Sequence, residues 1–485
     1  MGQKADGARK GWLTTFCVGN VGYELMYEFY KNFENFFLTE ICAFSTGVTT
    51  GITTVINAIK VFLTPAVGVA IDKDPFKARD KHTPWIVGMP VFLGLAFILM
   101  AWGAWKGGGG TLFVLSMYVI FQLFAPFLSN GYRSAIPSMA RNSNEASFLA
   151  AGVNTGSNIG RVLAGIIAPV IMVKLSADGV NEDAQGFFWA VVVSVILSIV
   201  VYWLSAYAVK KTIRPDRLRD FRQIASEAGA KAKSNALSIG EIFKQVFTDK
   251  NIMIPFIFGV CLIFRTFVVA PTAPYYYSYV VGDMLEYATF STATNVAGVI
   301  AVIVGPLFLV KVAKNNLKGT MLLFTVCVIL CHLSLLIVGH DKNWFLVTMT
   351  LGNFFYQCNS VLIFTAFVNA VDVSELRQRK LGKKDVASGT AMSLHWTAVM
   401  VAQVLGVYVR NVGLQLAGYE GANTVATAEF ADGLIKMYAI VPTIFLVFSF
   451  ITILFYNLTP EYMEKVHAEL DPLRAADSAG ASKSE

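Results

Sequence analysis

Charge is what this chain has little of. Asp, Glu, Lys and Arg make up 15% of its 485 residues, against 55% hydrophobic residues and a mean hydropathy of +0.56. That balance excludes a soluble globular domain as well as a solvated, disordered chain. Cysteine is also sparse: Cys17, Cys42, Cys261, Cys327, Cys331 and Cys358 show no metal-binding spacing and read as packing residues, so no metal site is expected. A Walker loop, a zincin pair and a nucleophile elbow are all missing, and the five His residues are dispersed. The missing motifs argue against an ATP-driven pump, no soluble catalytic constellation emerges, and the chain is expected not to be an enzyme. Residues 1–11 are polar and basic without a cleavage site, and Asp6 stands where a myristoylation pattern needs Ser or Thr. The first apolar segment is therefore expected to stay in the membrane.

What is present is a series of apolar runs that match or exceed the ~20 residues a helix needs to cross a bilayer. Spans are expected near 12–40, 44–71, 84–105, 111–138, 147–175, 186–209, 251–281, 287–313, 318–339, 343–371, 386–411 and 434–457. Helices satisfy their backbone groups internally, and the runs are too evenly apolar for barrel strands. The reading is an all-α polytopic membrane protein of twelve transmembrane helices. It divides into a six-helix half (1–209), a basic linker (210–250), a second six-helix half (251–457) and a tail (458–485). Lys73, Lys77, Arg79 and Lys81, then Lys311, Lys314 and Lys318, then Arg377, Arg379, Lys380, Lys383 and Lys384 all fall on the linker side. The positive-inside bias puts both termini in the cytoplasm of a multi-pass cell-membrane protein. The net charge of +7 thus describes topology, and the expected partners are lipid and a small-molecule solute, with no nucleic acid and no second subunit.

The first span carries charge where lipid tolerates little. Asn20, Glu24, Glu28, Lys31 and Asn35 recur every three or four residues and share one helix face, and Lys60 lies in the second span. Thr50, Thr53, Asn57, Lys60 and Thr64 form another stripe, Asn154, Asn158 and Arg161 a third, and Ser129 and Arg133 sit one turn apart. Arg265 adds a cation to the seventh span. Cations beside Asn and Thr suit a carboxylate, sulfonate or phosphate, and Arg does so best through its planar donor fork. For each charged group the plainer alternative is a static interhelical ion pair.

Three stretches carry a resemblance. Thr64-Pro65-Ala66-Val67-Gly68-Val69-Ala70-Ile71-Asp72 with Thr83-Pro84-Trp85-Ile86, Tyr275-Tyr276-Tyr277-Ser278-Tyr279-Val280-Val281-Gly282-Asp283, and Asn369-Ala370-Val371-Asp372-Val373-Ser374-Glu375-Leu376 are similar, in order and helix context, to the glycoside-pentoside-hexuronide:cation symporters. That family is the melibiose-permease-like branch of the major facilitator superfamily, and this chain resembles a divergent member. The resemblance implies two six-helix halves and transport by alternating access. Where sodium-coupled relatives carry two carboxylates on the second span, this chain has Lys60 and Thr64, and an ammonium would repel sodium. Glu24 stands where relatives place a sugar-binding carboxylate. Ser129, Arg133, Val153, Ser360 and Thr397 replace, respectively, the fourth-span acid, a nearby aromatic, a fifth-span arginine, a tenth-span Trp and an eleventh-span Lys.

The expected function is secondary transport of a small polar, anionic solute such as a uronate, coupled to protons and not sodium, with no cofactor. The substrate-binding candidates are Glu24, Asn57, Lys60, Ser129, Arg133, Asn154, Asn158, Arg161, Arg265, Tyr276, Gln357 and Trp396. Glu24, Glu28, Lys31, Lys60 and His395 are the proton-coupling candidates, with Lys60 expected to pair with Glu24 or Glu28 in place of the sodium ion. Asp72, Arg79, Lys81, Asp372 and Glu375 are expected to latch the cytoplasmic side. The tyrosines at 275–277 also fit an interfacial belt. Gly152, Gly156, Gly160 and Gly165 let a neighbouring helix approach closely. The tail reads as a surface helix over 461–470 followed by disorder. The alternatives are an anion exchanger or uniporter, a neutral glycoside symporter, a lipid or amphiphile transporter, and a non-transporting membrane sensor.

Overall fold

The computed structural model describes residues 2–72, 76, 80, 82–107, 110–140, 143–179, 182–213, 249–380, 390–421 and 424–481. Arg79, Lys81 and most of the expected linker lie outside them, as do the side chains of Asp72, Thr64 and Asn154. No strand occurs among the described residues. The long helices are α1 (Gly2–Phe36), α2 (Thr46–Asp72), α3 (Thr83–Lys106) and α4 (Gly110–Arg133). After a single turn, α5 (Ile136–Met139), come α6 (Ser143–Lys174), α7 (Ala184–Thr212), α8 (Lys250–Tyr275), α9 (Leu285–Lys311), α10 (Leu317–Val338), α11 (Lys342–Lys380), α12 (Thr390–Leu416), α13 (Ala428–Leu454) and α14 (Pro460–Ala481).

Eleven of these contain a window long and apolar enough to cross a membrane. The remaining long helix before the tail is α1, whose acids depress its hydropathy. With it the twelve expected spans are all present. Local chemistry sets several boundaries. Asp183 caps α7 by accepting from the Gly186 N–H at 2.7 Å, and Asn316 caps α10 by accepting from Gly319 at 2.9 Å. Pro84 opens α3, and Gly107 closes it with φ 65°, a conformation that favours glycine. The first and seventh spans both end in a π turn, at Phe37–Ile41 and Tyr276–Val281. The tail helix runs to Ala481, beyond the expected end at residue 470. Its buried Met463, Val466 and Leu470 give it an apolar face, and its packing on α11 supplies order that the isolated segment would lack.

The chain forms two compact units. The first comprises Met1–Ser234, Ala270–Val296 and Gly418–Ala431; the second comprises Asn235–Val269, Ala297–Ala417 and Asp432–Glu485. Within the first, α1 packs between α6 and α7. The glycine stripe on α6 makes this possible: a Cβ at Gly156 would meet the Cys17 carbonyl at 2.5 Å, and one at Gly160 would meet the Val21 carbonyl at 2.8 Å. At Gly160 the Glu24 Cβ is closer still, at 2.7 Å, so neither glycine leaves room for a side chain between the two helices. Gly165 faces Ser291 of α9 instead. Within the second unit α10, α11 and α12 pack in sequence, and Phe264 of α8 stacks on Phe445 of α13. The span through α8 has 78% of its apolar window buried against 22% for α9. The former is therefore interior, whereas Ile300, Ile303 and Leu307 of α9 present aliphatic surface outward, as a lipid-facing helix does.

Candidate functional site

The polar face of α1 meets polar partners, as a charged stripe in an apolar span must. Asn20 donates to the Val153 carbonyl at 3.2 Å and to the Ser157 hydroxyl. One turn on, the Arg161 guanidinium holds both Glu24 oxygens, Nε and Nη2 each at 3.4 Å. The close approach at Gly160 brings that pair together. Glu28 is bound by Lys31 at 2.6 Å and approached by Asn32 at 3.5 Å. Glu24 and Glu28 are buried, while the Arg161 side chain is one-third exposed.

Beside this lies a second cluster that spacing did not reveal. Lys60 of α2 donates to Gln122 Oε1 of α4 at 2.8 Å and lies 3.4 Å from the Tyr27 hydroxyl. The other end of the Gln122 amide donates to Glu34 Oε1 at 2.5 Å and to Tyr30. Tyr30 and Tyr118 also donate to Glu34 Oε1, at 2.7 and 2.5 Å. Gln122 and Tyr118 are buried completely and Glu34 nearly so. The signal for Glu34 was Tyr30 one turn before it; Gln122 is an isolated amide in an apolar span and gives none. Asn57 is buried on the same face of α2 as Lys60 and donates to the Thr53 carbonyl. Ser129 is half-buried and Arg133 ends α4; Asn158 is half-buried on α6.

In the second unit, Arg265 is 3% exposed and its charge is met by neutral groups. Its Nε donates to His332 Nε2 at 2.7 Å, Nη1 lies 3.4 Å from Asn353 Oδ1, and the guanidinium stacks 5.1 Å from the Tyr356 ring. His332 Nδ1 is 2.8 Å from the Tyr438 carbonyl. Arginine has no acceptor, so the imidazole must accept on Nε2 and donate from Nδ1, which fixes it as the neutral Nδ1–H tautomer. Arg265 has no carboxylate within ion-pair distance among the described residues. Gln357 is half-buried against Gly298, and Asn359 points the other way, donating to the Met321 carbonyl and Thr325. His395 lies edge-on to Phe364 and Phe367 with its buried Nδ1 unpartnered among the described residues, and Trp396 is 41% exposed.

The tyrosine cluster is not an interfacial belt, because Tyr275, Tyr276 and Tyr277 are buried within the first unit. Asn35 donates to the Tyr275 hydroxyl at 2.7 Å, and Thr39 lies 2.9 Å from it. Glu40 accepts from Tyr279 at 2.8 Å, and the Tyr419 hydroxyl sits between Thr39 and Glu40. Nearby, Ser278 donates to Glu182, beside a cavity of about 500 Å³ that Lys174 and Asp283 also line. Burial pushes the Glu182 carboxyl above the usual carboxylate range, more than the Ser278 hydrogen bond lowers it, and Asp178 and Asp283 add to the rise. At the far end of α11, Asp372 lies 3.1 Å from His467 of α14, while Glu375 pairs with Arg379 of its own helix at 2.8 Å.

This arrangement of twelve spanning helices with buried ion pairs defines a polytopic membrane protein of the major facilitator fold. A bacterial homologue of the human lysosomal transporter Spinster superposes with a TM-score of 0.66 at 9% identity, covering 95% of this chain and 98% of that one. The chain belongs to the MFS/sugar transport protein family, whose model matches residues 15–460. It is a divergent member. A lactose permease of Lactobacillus delbrueckii subsp. bulgaricus is 23% identical over 77% of this chain, and this chain spans 58% of that protein's length. An isoprimeverose transporter of Lactiplantibacillus pentosus is 20% identical over 96% of this chain and 92% of its own length. These relatives are glycoside carriers by name, consistent with the glycoside-pentoside-hexuronide assignment and with a chain that is not an enzyme.

Proposed function

We propose that this protein is a secondary transporter that imports a small anionic organic solute, a uronate or a similar sugar acid, by alternating access driven by protons and not by sodium. Its termini face the cytoplasm, on the side of the basic loops. The observation that carries the solute class is Arg265. A guanidinium buried among an imidazole, an amide and a phenol has no carboxylate beside it among the described residues to offset its charge. Such a charge is costly in an apolar interior, and a carboxylate-bearing solute relieves that cost on binding. Sodium is disfavoured because the second span offers the Lys60 ammonium, not a carboxylate, beside Gln122. The relatives' names favour a second reading, a neutral glycoside such as lactose.

Uptake into proteoliposomes separates the two. Radiolabelled glucuronate and lactose would be compared with an inward proton gradient, with an inward sodium gradient, and with neither. Accumulation of glucuronate with the proton gradient alone is expected. Sodium-driven accumulation of lactose would overturn both the solute class and the coupling ion.

A further inference from the structure

We propose that Glu34 is the carboxyl that takes up the coupling proton, and that the Gln122 side chain passes its charge state to Lys60; this rests on the proton-driven reading above. Three buried acids line α1 within the span, and they differ in what holds them. Glu24 is clamped by Arg161 and Glu28 by Lys31, so a proton on either would leave a cation facing a neutral partner in an apolar interior. Glu34 has no cation within ion-pair distance among the described residues. Its Oε1 is held by the hydroxyls of Tyr30 and Tyr118 and by the Gln122 amide, all neutral donors. Protonation there separates no direct ion pair.

The amide is what ties this group to the rest of the site. Its oxygen faces the Lys60 ammonium at 2.8 Å and its nitrogen faces the Glu34 carboxylate at 2.5 Å, so the two charges orient one dipole from opposite ends. When Glu34 takes a proton from hydronium, an O–H bond forms on its carboxyl, the hydronium O–H bond breaks to leave water, and the amide keeps both hydrogens. What changes is the pull on the amide nitrogen, and with it the negative charge that the amide oxygen offers to Lys60. Hydrogen bonds in series polarise one another in this way. Lys60 then has weaker hold on its own side and is freer to engage a solute carboxylate. The groups around Glu34 are Tyr30 on α1, Tyr118 and Gln122 on α4 and, behind the amide, Lys60 on α2; Phe97 of α3 closes the cluster by packing on the Tyr30 ring.

Infrared difference spectra of the reconstituted full chain, stepped from alkaline to acid buffer with no solute added, test this directly. The carbonyl band of a newly protonated carboxylic acid is expected in the native protein, retained in Glu24→Gln and Glu28→Gln and lost in Glu34→Gln. Gln122→Leu removes one donor and is expected to keep the band but move it to higher frequency, as Tyr118→Phe should if Glu34→Gln fails to fold. Lys60→Met should also move it in the presence of Gln122 and leave it unmoved in Gln122→Leu. A band that survives in Glu34→Gln, or no band in the native protein, overturns the assignment. A frequency indifferent to Gln122 overturns the relay. If the band behaves as expected while a proton gradient fails to drive uptake, the proton site stands and the coupling reading falls.

Discussion

At the scale of single residues, the buried charges differ most in what holds each of them. Replacing His332 by Phe leaves the Arg265 Nε–H buried without an acceptor, which should destabilise the protein by about 1–3 kcal/mol, read as a lower Tm; His332→Gln should recover part of it. Glu182 gives a pH signature. Because its carboxyl is raised in the folded protein, folded chains bind the extra proton, and its contribution is fully present at low pH and lost as pH rises through the raised value. Glu182→Gln should therefore melt higher than the native protein at neutral pH and equally at acid pH, in thermal melts across that range. The stripe of Glu24, Glu28 and Lys31 was legible because helical spacing places those groups on one face. Glu34 had only Tyr30 one turn before it as a sign, and Gln122 and His332 were not legible, since each draws its meaning from a partner on another helix. Intervals along one chain carry no record of that.

At the scale of elements, the contact of α1 with α6 positions the Glu24–Arg161 pair, and it depends on hydrogen atoms where other residues carry Cβ. Gly160→Val would drive a branched side chain into the Val21 backbone. Overpacking of this kind costs about 1–3 kcal/mol or more and should also abolish uptake, measured beside Gly51→Ala as a control whose Cβ meets nothing within 4 Å. Span number and order were readable from apolar runs and charge clusters. The extent of α14 was not: a short amphipathic helix takes its order from the surface it packs on, here α11, and the sequence names no such surface.

At the scale of the molecule, the exposed aliphatic surface and the placement of basic residues make a claim about sidedness. Reporter fusions at residue 485 should be active only with a reporter that folds in the cytoplasm, and a fusion in the loop near Gly179 only with one that needs export. The opposite pattern would invert the topology and with it the direction of transport. The family and the fold were legible at this scale, because apolar composition and a few loop motifs carry them. The solute was not, since it is set by which side chains from different helices face one space, and spacing along one chain does not say that. One backbone detail is shared by two spans. The π turns at Phe37–Ile41 and Tyr276–Val281 end the first and the seventh span. A π turn widens the coil by roughly one residue and is rare in helices. The two spans therefore leave their helices through the same kind of loosened turn, although the side chains there, Phe-Leu-Thr-Glu-Ile and Tyr-Tyr-Ser-Tyr-Val-Val, have little in common.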